Sequence, residues 1–205
     1  MSEFAMRVIS GKAKGRKLKM VGGSTTRPIT DRVKENLFNI LQDEVTGGRW
    51  LDLFAGTGQV GIEALSRGAA EVVFVDSAVQ AIRVLRDNLR STELTAGAVV
   101  RKGDAFSLLR SGAGGPFDLI YVAPPQYREM WLRALEIIDA QPAPLARDDG
   151  LVVAQIHPKE FREVAWRHLR LEDRRQYGTT MLCFYRVAHA GVADPVAEIN
   201  NDGSL

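Results

Sequence analysis

Short apolar runs alternate with amphipathic stretches along most of this chain of 205 residues. The runs that predict strands are Trp50–Phe54, Glu71–Val75, Ala98–Arg101, Leu119–Val122 and Leu151–Ile156. Between them, apolar residues recur three and four positions apart, which predicts helices. Short apolar strands that alternate with helices indicate a parallel sheet that is covered on both faces.

Capping residues and glycines set the expected limits of the helices. Thr30 or Asp31 is expected to cap a helix ahead of the first strand, and Gly47-Gly48 to end it. Its predicted buried stripe is Val33, Leu37, Phe38, Ile40 and Leu41. The later helices are predicted through Ile62, Ala64 and Leu65 to Gly68, from Ser77 to about Asn88, over Ala105–Leu109 and over Arg128–Ile138.

The last part of the pattern contains no helix. Leu169–Gln176 and Thr180–Val187 are separated only by Tyr177-Gly178-Thr179. Two strand-like runs joined by a short turn that contains glycine predict a β-hairpin. We therefore expect the sheet to end in an antiparallel edge.

The composition is that of an ordinary globular protein, with 45% hydrophobic and 25% charged residues. No apolar run is long enough to span a bilayer and no apolar leader opens the chain, so we expect a cytoplasmic protein. The single cysteine, Cys183, is expected to be a buried small hydrophobe. The three histidines lie far apart without metal-ligand spacing, so we expect no metal site.

The charge is unevenly distributed, although the formal net charge is only +2. Between Met6 and Arg32, eight basic residues accompany one acid, and Gly11 and Gly15 favour a β-hairpin or an ordered loop. A solvated basic face is the alternative, but this charge density favours binding of a polyanion. The candidate contacts are Arg7, Lys12, Lys14, Arg16, Lys17 and Lys19.

The two ends of the chain are expected to differ from the main domain, residues 33–187. Residues 1–32 form the basic arm, in which residues 1–5 could be an added leader before a natural start at Met6. Residues 188–205 contain three acids and neither Lys nor Arg. This end is polar and has few large apolar groups, so we predict a disordered acidic tail.

The segment Leu51–Gly61, LDLFAGTGQVG, joins the first strand to the next helix through a Gly-x-Gly-x-x-Gly pattern. Glycines at such a turn often serve only close packing, but the position is that of a phosphate or ribose cradle. Asp76 ends the second strand, where a carboxylate can accept two ribose hydroxyls. These features predict a nucleotide-containing ligand.

Two further acids distinguish the possible ligands. Asp52, inside the first strand, suits a cationic amino acid end better than a pyrophosphate, and Asp104 can accept from an adenine amino group that Phe106 shields. The alternative is that Asp52 is tied to the backbone and that Asp104 is a helix N-cap. Acids at three successive strand ends, together with the glycine turn, favour S-adenosylmethionine.

The fourth strand ends at a double proline, in the segment Leu119–Tyr127, LIYVAPPQY. In such sheets, ligands bind at the crevice where the strand order reverses. A stiff loop there can aim carbonyls, that of Pro124 above all, at the N–H bonds of a base amino group. Tyr127 could stack on the base. The candidate catalytic residues are Ala123, Pro124, Pro125, Gln126 and Tyr127.

At these residues the chain resembles the bacterial 16S ribosomal RNA guanine-N2 methyltransferases, the RsmD-like family. The matching pieces are MRVISGKAKGRKL, TRPITDRVKENLFNIL, LDLFAGTGQVGIEALSRGA, Asp76, GDAF, the double proline and YGTTMLCFYR, from about Met6 to Val187. The resemblance implies a Rossmann-like class I methyltransferase fold, with a seven-stranded, mostly parallel sheet and an antiparallel C-terminal hairpin. It also implies S-adenosylmethionine as cofactor and a guanine of small-subunit rRNA or of the 30S particle as substrate. We further expect a monomer.

The resemblance also implies a set of cofactor-binding residues. It places the basic arm on rRNA phosphates and Arg27–Arg32 on a segment that closes over the cofactor. The candidate cofactor residues are Arg27, Thr30, Asp52, Phe54, Ala55, Gly56, Thr57, Gly58, Asp76, Ser77, Asp104, Ala105 and Phe106.

One departure from the family pattern leaves alternatives open. The family has Asp or Asn before the two prolines and an aromatic residue directly after them, whereas this chain has Ala123 and Gln126, with Tyr127 one place later. The alternatives are another amino-directed nucleic-acid methyltransferase, or an impaired protein that binds S-adenosylmethionine and rRNA. No separate target-recognition domain remains for a DNA methyltransferase.

Overall fold

The computed structural model describes residues 6–20 and 29–190 of the chain. Some predictions lie outside these residues: the added leader over 1–5, the cofactor contact of Arg27, and the acidic tail from residue 191 onward. In the described part, no helix has both the length and the apolar character needed to cross a membrane.

In the part of the chain that the structure describes, seven strands form one sheet in the order β3-β2-β1-β4-β5-β7-β6. The strands are β1 Arg49–Leu53, β2 Glu71–Asp76, β3 Ala98–Lys102, β4 Phe117–Val122, β5 Ala146–Ile156, β6 Leu169–Tyr177 and β7 Thr180–Val187. The first five run parallel, and β7 pairs antiparallel with both β5 and β6. The predicted fold class, a mostly parallel sheet with an antiparallel C-terminal hairpin, is confirmed.

Residues 6–20 and 29–190 contain five α-helices, of which the first precedes β1 and the other four connect successive strands from β1 to β5. They are α1 Asp31–Leu41, α2 Gln59–Ser66, α3 Val79–Thr92, α4 Ala105–Ser111 and α5 Met130–Ala140. Short 3-10 turns cover Gln42–Glu44 and Pro158–Glu160. The Thr30 side chain caps α1 by accepting a hydrogen bond from the Val33 N–H. Of the two predicted caps, Thr30 and Asp31, the structure thus shows Thr30.

Several predicted limits were wrong. The helix α1 ends at Leu41 rather than at Gly47-Gly48, because a 3-10 turn follows it, and Ile40 of its predicted buried stripe is 40% exposed. Phe54 has a φ of +66°, which cannot continue a strand. The helix α5 starts at Met130 rather than at Arg128, since Glu129 before it has a positive φ.

The sheet is covered by two apolar layers. Trp50 of β1 packs on the face that carries α1, α2 and α3, and its ring stacks on Phe38 at 5.7 Å. Leu51 and Leu53 point to the other face, against α4 and α5. Successive strand residues alternate between faces, so Asp52 points to the α1–α3 face. Cys183 is buried, as predicted, and burial raises the pKa of its thiol to about 12.

Residues 6–20, here called the basic segment, form an ordered hairpin-like loop that packs on the α1–α3 face. The Gly15 N–H donates to the Val8 carbonyl at 2.9 Å, and the Leu18 N–H donates to the Met6 carbonyl at 2.7 Å. The apolar side chains Met6, Val8, Ala13 and Leu18 are buried in the core. The segment therefore alternates between anchoring apolar residues and exposed cations.

Candidate functional site

A cavity of about 400 Å³ opens at the carboxyl ends of the parallel strands. We divide its wall into a glycine-turn half, with Asp52, Gly56, Asp76 and Asp104, and a proline-loop half, with Tyr121, Ala123, Pro125 and Gln155. Of the predicted site residues, the structure places these on the wall: Asp52, Phe54, Ala55, Gly56, Thr57, Asp76, Ser77, Asp104, Ala105, Ala123 and Pro125. Those it places elsewhere are Thr30, Gly58, Phe106, Pro124, Gln126 and Tyr127.

The three glycines of the predicted cradle have different roles. A Cβ on Gly58 would lie 2.1 Å from Leu85, and one on Gly61 would lie 2.3 Å from Phe74, so both serve close packing. Gly56 has a φ of +55° and lines the cavity, and a Cβ added to it would have no neighbour within 4 Å. Gly56 alone of the three leaves space for a ligand.

The carboxylate of Asp76 holds the glycine turn in place. It accepts from the Gly56 N–H at 2.8 Å through Oδ2 and from the Ala78 N–H at 2.8 Å through Oδ1. The second bond keeps residues 76–78 in a turn, so α3 begins at Val79. The start at Ser77 that the sequence predicted is therefore wrong. An ionised carboxylate at this strand end retains further lone pairs toward the cavity.

Asp52 is buried beside that turn, with 2% of its surface exposed. Its Oδ2 accepts from the Gly61 N–H at 3.1 Å, so the backbone tie considered from the sequence is present. The pKa of Asp52 is raised to about 7, mainly by burial. The hydrogen bond from Gly61 lowers this pKa, and the negative charge of Asp76 raises it further. A carboxylate that is costly to ionise when alone is stabilised by a cation placed next to it.

Asp104 both caps α4 and lines the cavity. Its Oδ1 accepts from the Ser107 N–H at 2.8 Å and from the Ser107 hydroxyl at 2.9 Å. The backbone bond from Ser107 is the main reason why the pKa of Asp104 is lowered. Its side chain remains 56% exposed, so capping and ligand contact are compatible roles for this residue.

The aromatic wall of this half is Phe54 and not Phe106. Phe106 is 4% exposed, and its ring lies edge-on to Phe54, with 5.8 Å between the centroids. The guanidinium of Arg133 covers Phe106 at 4.2 Å. Phe106 does not line the cavity, because the second residue of α4 points into the α4–α5 layer and supports Phe54 from behind. Its shielding of a ligand ring stays a prediction.

The proline loop contributes Ala123 and Pro125 to the wall, but its aromatic residue turns away. Tyr127 has a φ of +60° and is 64% exposed, and its ring lies 5.2 Å from that of His157. Its N–H donates to Glu160 Oε1 at 2.7 Å. Tyr127 and His157 thus form an aromatic pair outside the cavity wall.

Two polar residues of the proline-loop half were missed by sequence reasoning. The Tyr121 hydroxyl donates to Gln155 Oε1 at 2.5 Å, and both residues line the cavity. Burial, and then the charge of Asp52, raise the pKa of Tyr121 well above its ordinary value. The sequence signal that could have identified them is a polar group within each of two apolar strands, Tyr121 in β4 and Gln155 in β5.

The basic segment presents its cations in two groups. Arg7 pairs with Asp31 at 3.0 Å, Arg16 with Glu93 at 2.9 Å and Lys19 with Asp87 at 3.2 Å. The other group consists of Lys12, Lys14 and Lys17. These three side chains are exposed and form no ion pair with any residue that the structure describes. The second group is the one whose charges remain available to a polyanion.

A buried ionic network, also missed from the sequence, fixes the basic segment. The fully buried carboxylate of Glu63 accepts from the N–H groups of Ile9 and Ser10, at 2.7 and 2.9 Å. It also pairs with Lys34 at 3.4 Å and Arg67 at 2.8 Å. Burial lowers the pKa of Lys34, while Glu63 opposes that change. This network satisfies a buried charge and ties the segment to α1 and α2.

Asn88 of α3 connects the basic segment to the cavity. Its Oδ1 accepts from the Lys19 N–H at 2.7 Å, and its Nδ2 donates to the Lys19 carbonyl at 3.1 Å and the Thr57 carbonyl at 3.0 Å. Asn88 is fully buried. One side chain therefore positions both the segment and the glycine turn.

The strand order and the placement of the cavity define a Rossmann-like methyltransferase fold. Over residues 6–186, the chain matches the model of the family described as "Conserved hypothetical protein 95". The chain belongs to this family. Within residues 6–20 and 29–190, no group of three or more His, Cys, Asp and Glu side chains is arranged to hold a metal ion.

Two curated relatives carry functional names. The "Putative rRNA methyltransferase YlbH" of Bacillus subtilis is 43% identical over 185 residues, which cover 88% of this chain and 98% of the relative. The "Ribosomal RNA small subunit methyltransferase D" of Escherichia coli K12 is 35% identical over 134 residues, or 65% of this chain and 67% of the relative. Both relatives fit the resemblance seen in the sequence.

Solved structures share the fold. The "Putative methyltransferase yhhF" of Escherichia coli has a TM-score of 0.78 and 28% identity, covering 89% of this chain and 97% of that one. An RNA methyltransferase of Salinibacter ruber, solved with S-adenosyl-L-homocysteine, has a TM-score of 0.63 and 14% identity, covering 82% of this chain and 98% of that one. At that identity, the second likeness concerns the fold alone.

Proposed function

We propose that this protein transfers a methyl group from S-adenosylmethionine to the exocyclic N2 of a guanine in small-subunit rRNA. The observation that carries the proposal is the meeting of three carboxylates, Asp52, Asp76 and Asp104, with an open glycine turn and a proline-stiffened strand end around one cavity. The names of the curated relatives support the reaction and the rRNA substrate.

The glycine-turn half suits the parts of S-adenosylmethionine. Asp76 would accept the ribose hydroxyls, and Asp104 the adenine amino group, against the apolar ring of Phe54. Asp52, whose ionised form a nearby cation would favour, would bind the amino group of the amino acid end. When bound, the cofactor supplies an electrophilic methyl group on a sulfonium, and these side chains orient it toward the proline-loop half.

The proline-loop half would receive the base. The two prolines restrict the backbone after β4. Pro124 lies between the wall residues Ala123 and Pro125 without lining the cavity itself, and its carbonyl is the proposed first acceptor for the guanine amino group. Tyr127, on the exposed side of the same loop, is positioned to contact the nucleotide outside the cavity wall. The loop thus would fix the base in line with the methyl group.

The basic segment would bind the rRNA backbone. Lys12, Lys14 and Lys17 extend from a loop that is anchored by the Glu63 network and linked to the cavity by Asn88. Such a rigid connection would convert phosphate contacts into a defined position of the target base. The monomeric state and the cytoplasmic location remain predictions.

The proposal is tested by tritiated methyl transfer from S-adenosylmethionine to purified 30S particles and to naked rRNA, followed by nucleoside analysis. We expect N2-methylguanosine in the small-subunit rRNA, and the comparison of the two substrates identifies the form that is recognised. Another methylated amino nucleoside would instead support a different amino-directed nucleic-acid methyltransferase.

Ala123 favours a second candidate, a protein that binds S-adenosylmethionine and rRNA without transferring the methyl group. An alanine at the head of the proline loop offers no side-chain acceptor to an amino group. Saturable binding of both ligands, without transfer to any rRNA-containing substrate, would support this candidate over the enzyme.

A further inference from the structure

The proline-loop half has a gap in its chemistry. The lone pair of a base amino group is delocalised into the ring, and acceptors aimed at its N–H bonds draw the nitrogen toward tetrahedral geometry. Backbone carbonyls at the end of β4 can supply one acceptor, but the side chain of Ala123 supplies none. A second acceptor is needed from another part of the wall.

Gln155 stands at the right place on the neighbouring strand. The register of β4 and β5 pairs Val122 with Ala154, so Gln155 lies beside Ala123, one residue further along each strand. Paired residues of neighbouring strands point to the same face, and both Ala123 and Gln155 line the cavity. The amide of Gln155 thus lies on the wall next to the missing acceptor.

Tyr121 fixes the orientation of that amide. Its hydroxyl donates to Gln155 Oε1 at 2.5 Å, and only 2% of Tyr121 is exposed. Because burial and the charge of Asp52 raise the pKa of Tyr121, its hydroxyl keeps the proton that it donates. A carbonyl oxygen has two lone pairs, so Oε1 retains one for a substrate.

We propose that Gln155 is a catalytic residue that accepts a hydrogen bond from the target amino group, with Tyr121 as its positioning residue. This inference rests on the proposed function. In the transfer, the nitrogen lone pair forms the N–C bond as the C–S bond breaks, the electron pair of the C–S bond stays on sulfur, and one N–H proton leaves to water. Gln155 does not take that proton, because a carboxamide is too weak a base, and acts by directing the N–H bond.

The test compares Gln155→Met with Gln155→Glu. Methionine fills a similar volume without the acceptor oxygen, whereas glutamate keeps an acceptor and the bond from Tyr121. At saturating S-adenosylmethionine and RNA, single-turnover transfer should slow on the order of 10²-fold in Gln155→Met and by less than about tenfold in Gln155→Glu. Gln176→Ala, at an exposed position of β6, is the control and should keep the wild-type rate.

A binding experiment provides a readout that needs no turnover. Once the methylated nucleotide is mapped, an RNA fragment is made with guanosine or with inosine, which lacks the amino group, at that position. With S-adenosylhomocysteine bound, the wild type should prefer guanosine about 2- to 10-fold, the range of one net hydrogen bond. Gln155→Met should weaken this preference, because only the backbone acceptor of the proline loop remains, while its affinity for S-adenosylhomocysteine stays unchanged.

Rescue separates a catalytic from a structural role. Ala123→Asp in the Gln155→Met background should recover most of the lost rate, because it returns an acceptor to the adjoining position. A Gln155→Met protein that keeps both the wild-type rate and the guanosine preference would overturn this inference and leave the proposed function intact. If the wild type transfers no methyl to any rRNA-containing substrate, the proposed function fails and this inference fails with it.

Discussion

The two halves of the cavity are built in different ways. The glycine-turn half takes its groups from strand ends and the turns directly after them, and its carboxylates are held by backbone N–H groups. Asp52 and Asp104 accept from the helices that follow them, and Asp76 accepts from Gly56, in the turn after the neighbouring strand β1. The proline-loop half depends on a side-chain contact between neighbouring strands, from Tyr121 on β4 to Gln155 on β5. The first half is therefore held by backbone contacts, and the second by a side-chain contact that depends on strand register.

This difference suggests a division of labour. Carboxylates fixed by the backbone suit the recognition of a constant ligand, whereas a pair of side chains can be exchanged without disturbing the chain path. Variants of the glycine-turn half should therefore change cofactor affinity, and variants of the proline-loop half should change the rate of transfer. The predictions below test this separation, from the largest expected effect to the smallest.

Asp52→Asn should have the largest effect on stability. The pKa of Asp52 is raised from 3.8 to about 7, so the folded state binds more protons than the unfolded state between these values. The free energy of unfolding of the wild type therefore falls as the pH rises through about 4 to 7 and levels off above that window. The asparagine variant does not lose stability in this way. Its free energy of unfolding should therefore exceed that of the wild type by on the order of a few kcal/mol near pH 8.

Urea unfolding of the wild type and Asp52→Asn at several pH values measures this gain. Equal pH dependence in both proteins would contradict the assignment of the raised pKa to Asp52. Calorimetry of S-adenosylmethionine binding is the companion measurement: wild-type affinity should rise with pH through about 7, whereas the variant should lack this rise and bind more weakly near pH 8.

Asp76→Ala should weaken cofactor binding by about 1.5–3 kcal/mol, the range for a hydrogen bond to a charged group. The lost carboxylate would have bound the ribose and also holds the Gly56 N–H. Isothermal calorimetry on the folded variant checks the value. Glu71→Ala, at the opposite end of β2, is the matched control, and unchanged affinity in Asp76→Ala would refute the ribose contact.

Removing the three cations without an observed ion pair, by Lys12→Ala, Lys14→Ala and Lys17→Ala together, should weaken RNA binding without changing cofactor affinity. The slope of log affinity against log salt should fall by about one for each lysine that contacts phosphate. A control that removes the charges of Arg170 and Arg175, on the edge strand β6, should keep the wild-type slope. An unchanged slope in the triple variant would mean that the segment is only a solvated basic face.

Ala123→Asp alone should have the smallest effect. If Gln155 already supplies an acceptor, an added carboxylate at 123 should change the single-turnover rate by less than about tenfold, well below the effect of losing a preorganised group. A much larger acceleration would show that the wild-type loop lacks an acceptor, and that Gln155 does not serve as one.

The comparison also explains what could be predicted from the sequence. The alternation of strands and helices, the terminal hairpin and the placement of Asp76 and Asp104 follow from periodicity and from local capping, which depend on residues close in sequence. The side-chain direction of Phe106 and the outward turn of Tyr127 depend on packing and on a positive φ, which the local pattern does not specify.

The long-range polar contacts were beyond the reach of local patterns. Glu63 and Lys34 lie on separate helices and meet beneath the basic segment. Gln155 became a candidate only through its register with β4. A charged or amide side chain inside an apolar run indicates that a hydrogen-bond partner lies elsewhere in the chain. Which residue is that partner can be read only from the folded topology.

The most direct test of the division of labour measures two quantities on two variants, the dissociation constant for S-adenosylmethionine and the single-turnover rate at saturating cofactor. We expect Asp76→Ala to raise the dissociation constant with little change in the saturated rate, and Gln155→Met to lower the rate with no change in the dissociation constant. If Asp76→Ala slows the saturated rate as much as Gln155→Met does, or if Gln155→Met weakens cofactor binding to the same extent as Asp76→Ala, the two halves do not act separately and the account is contradicted.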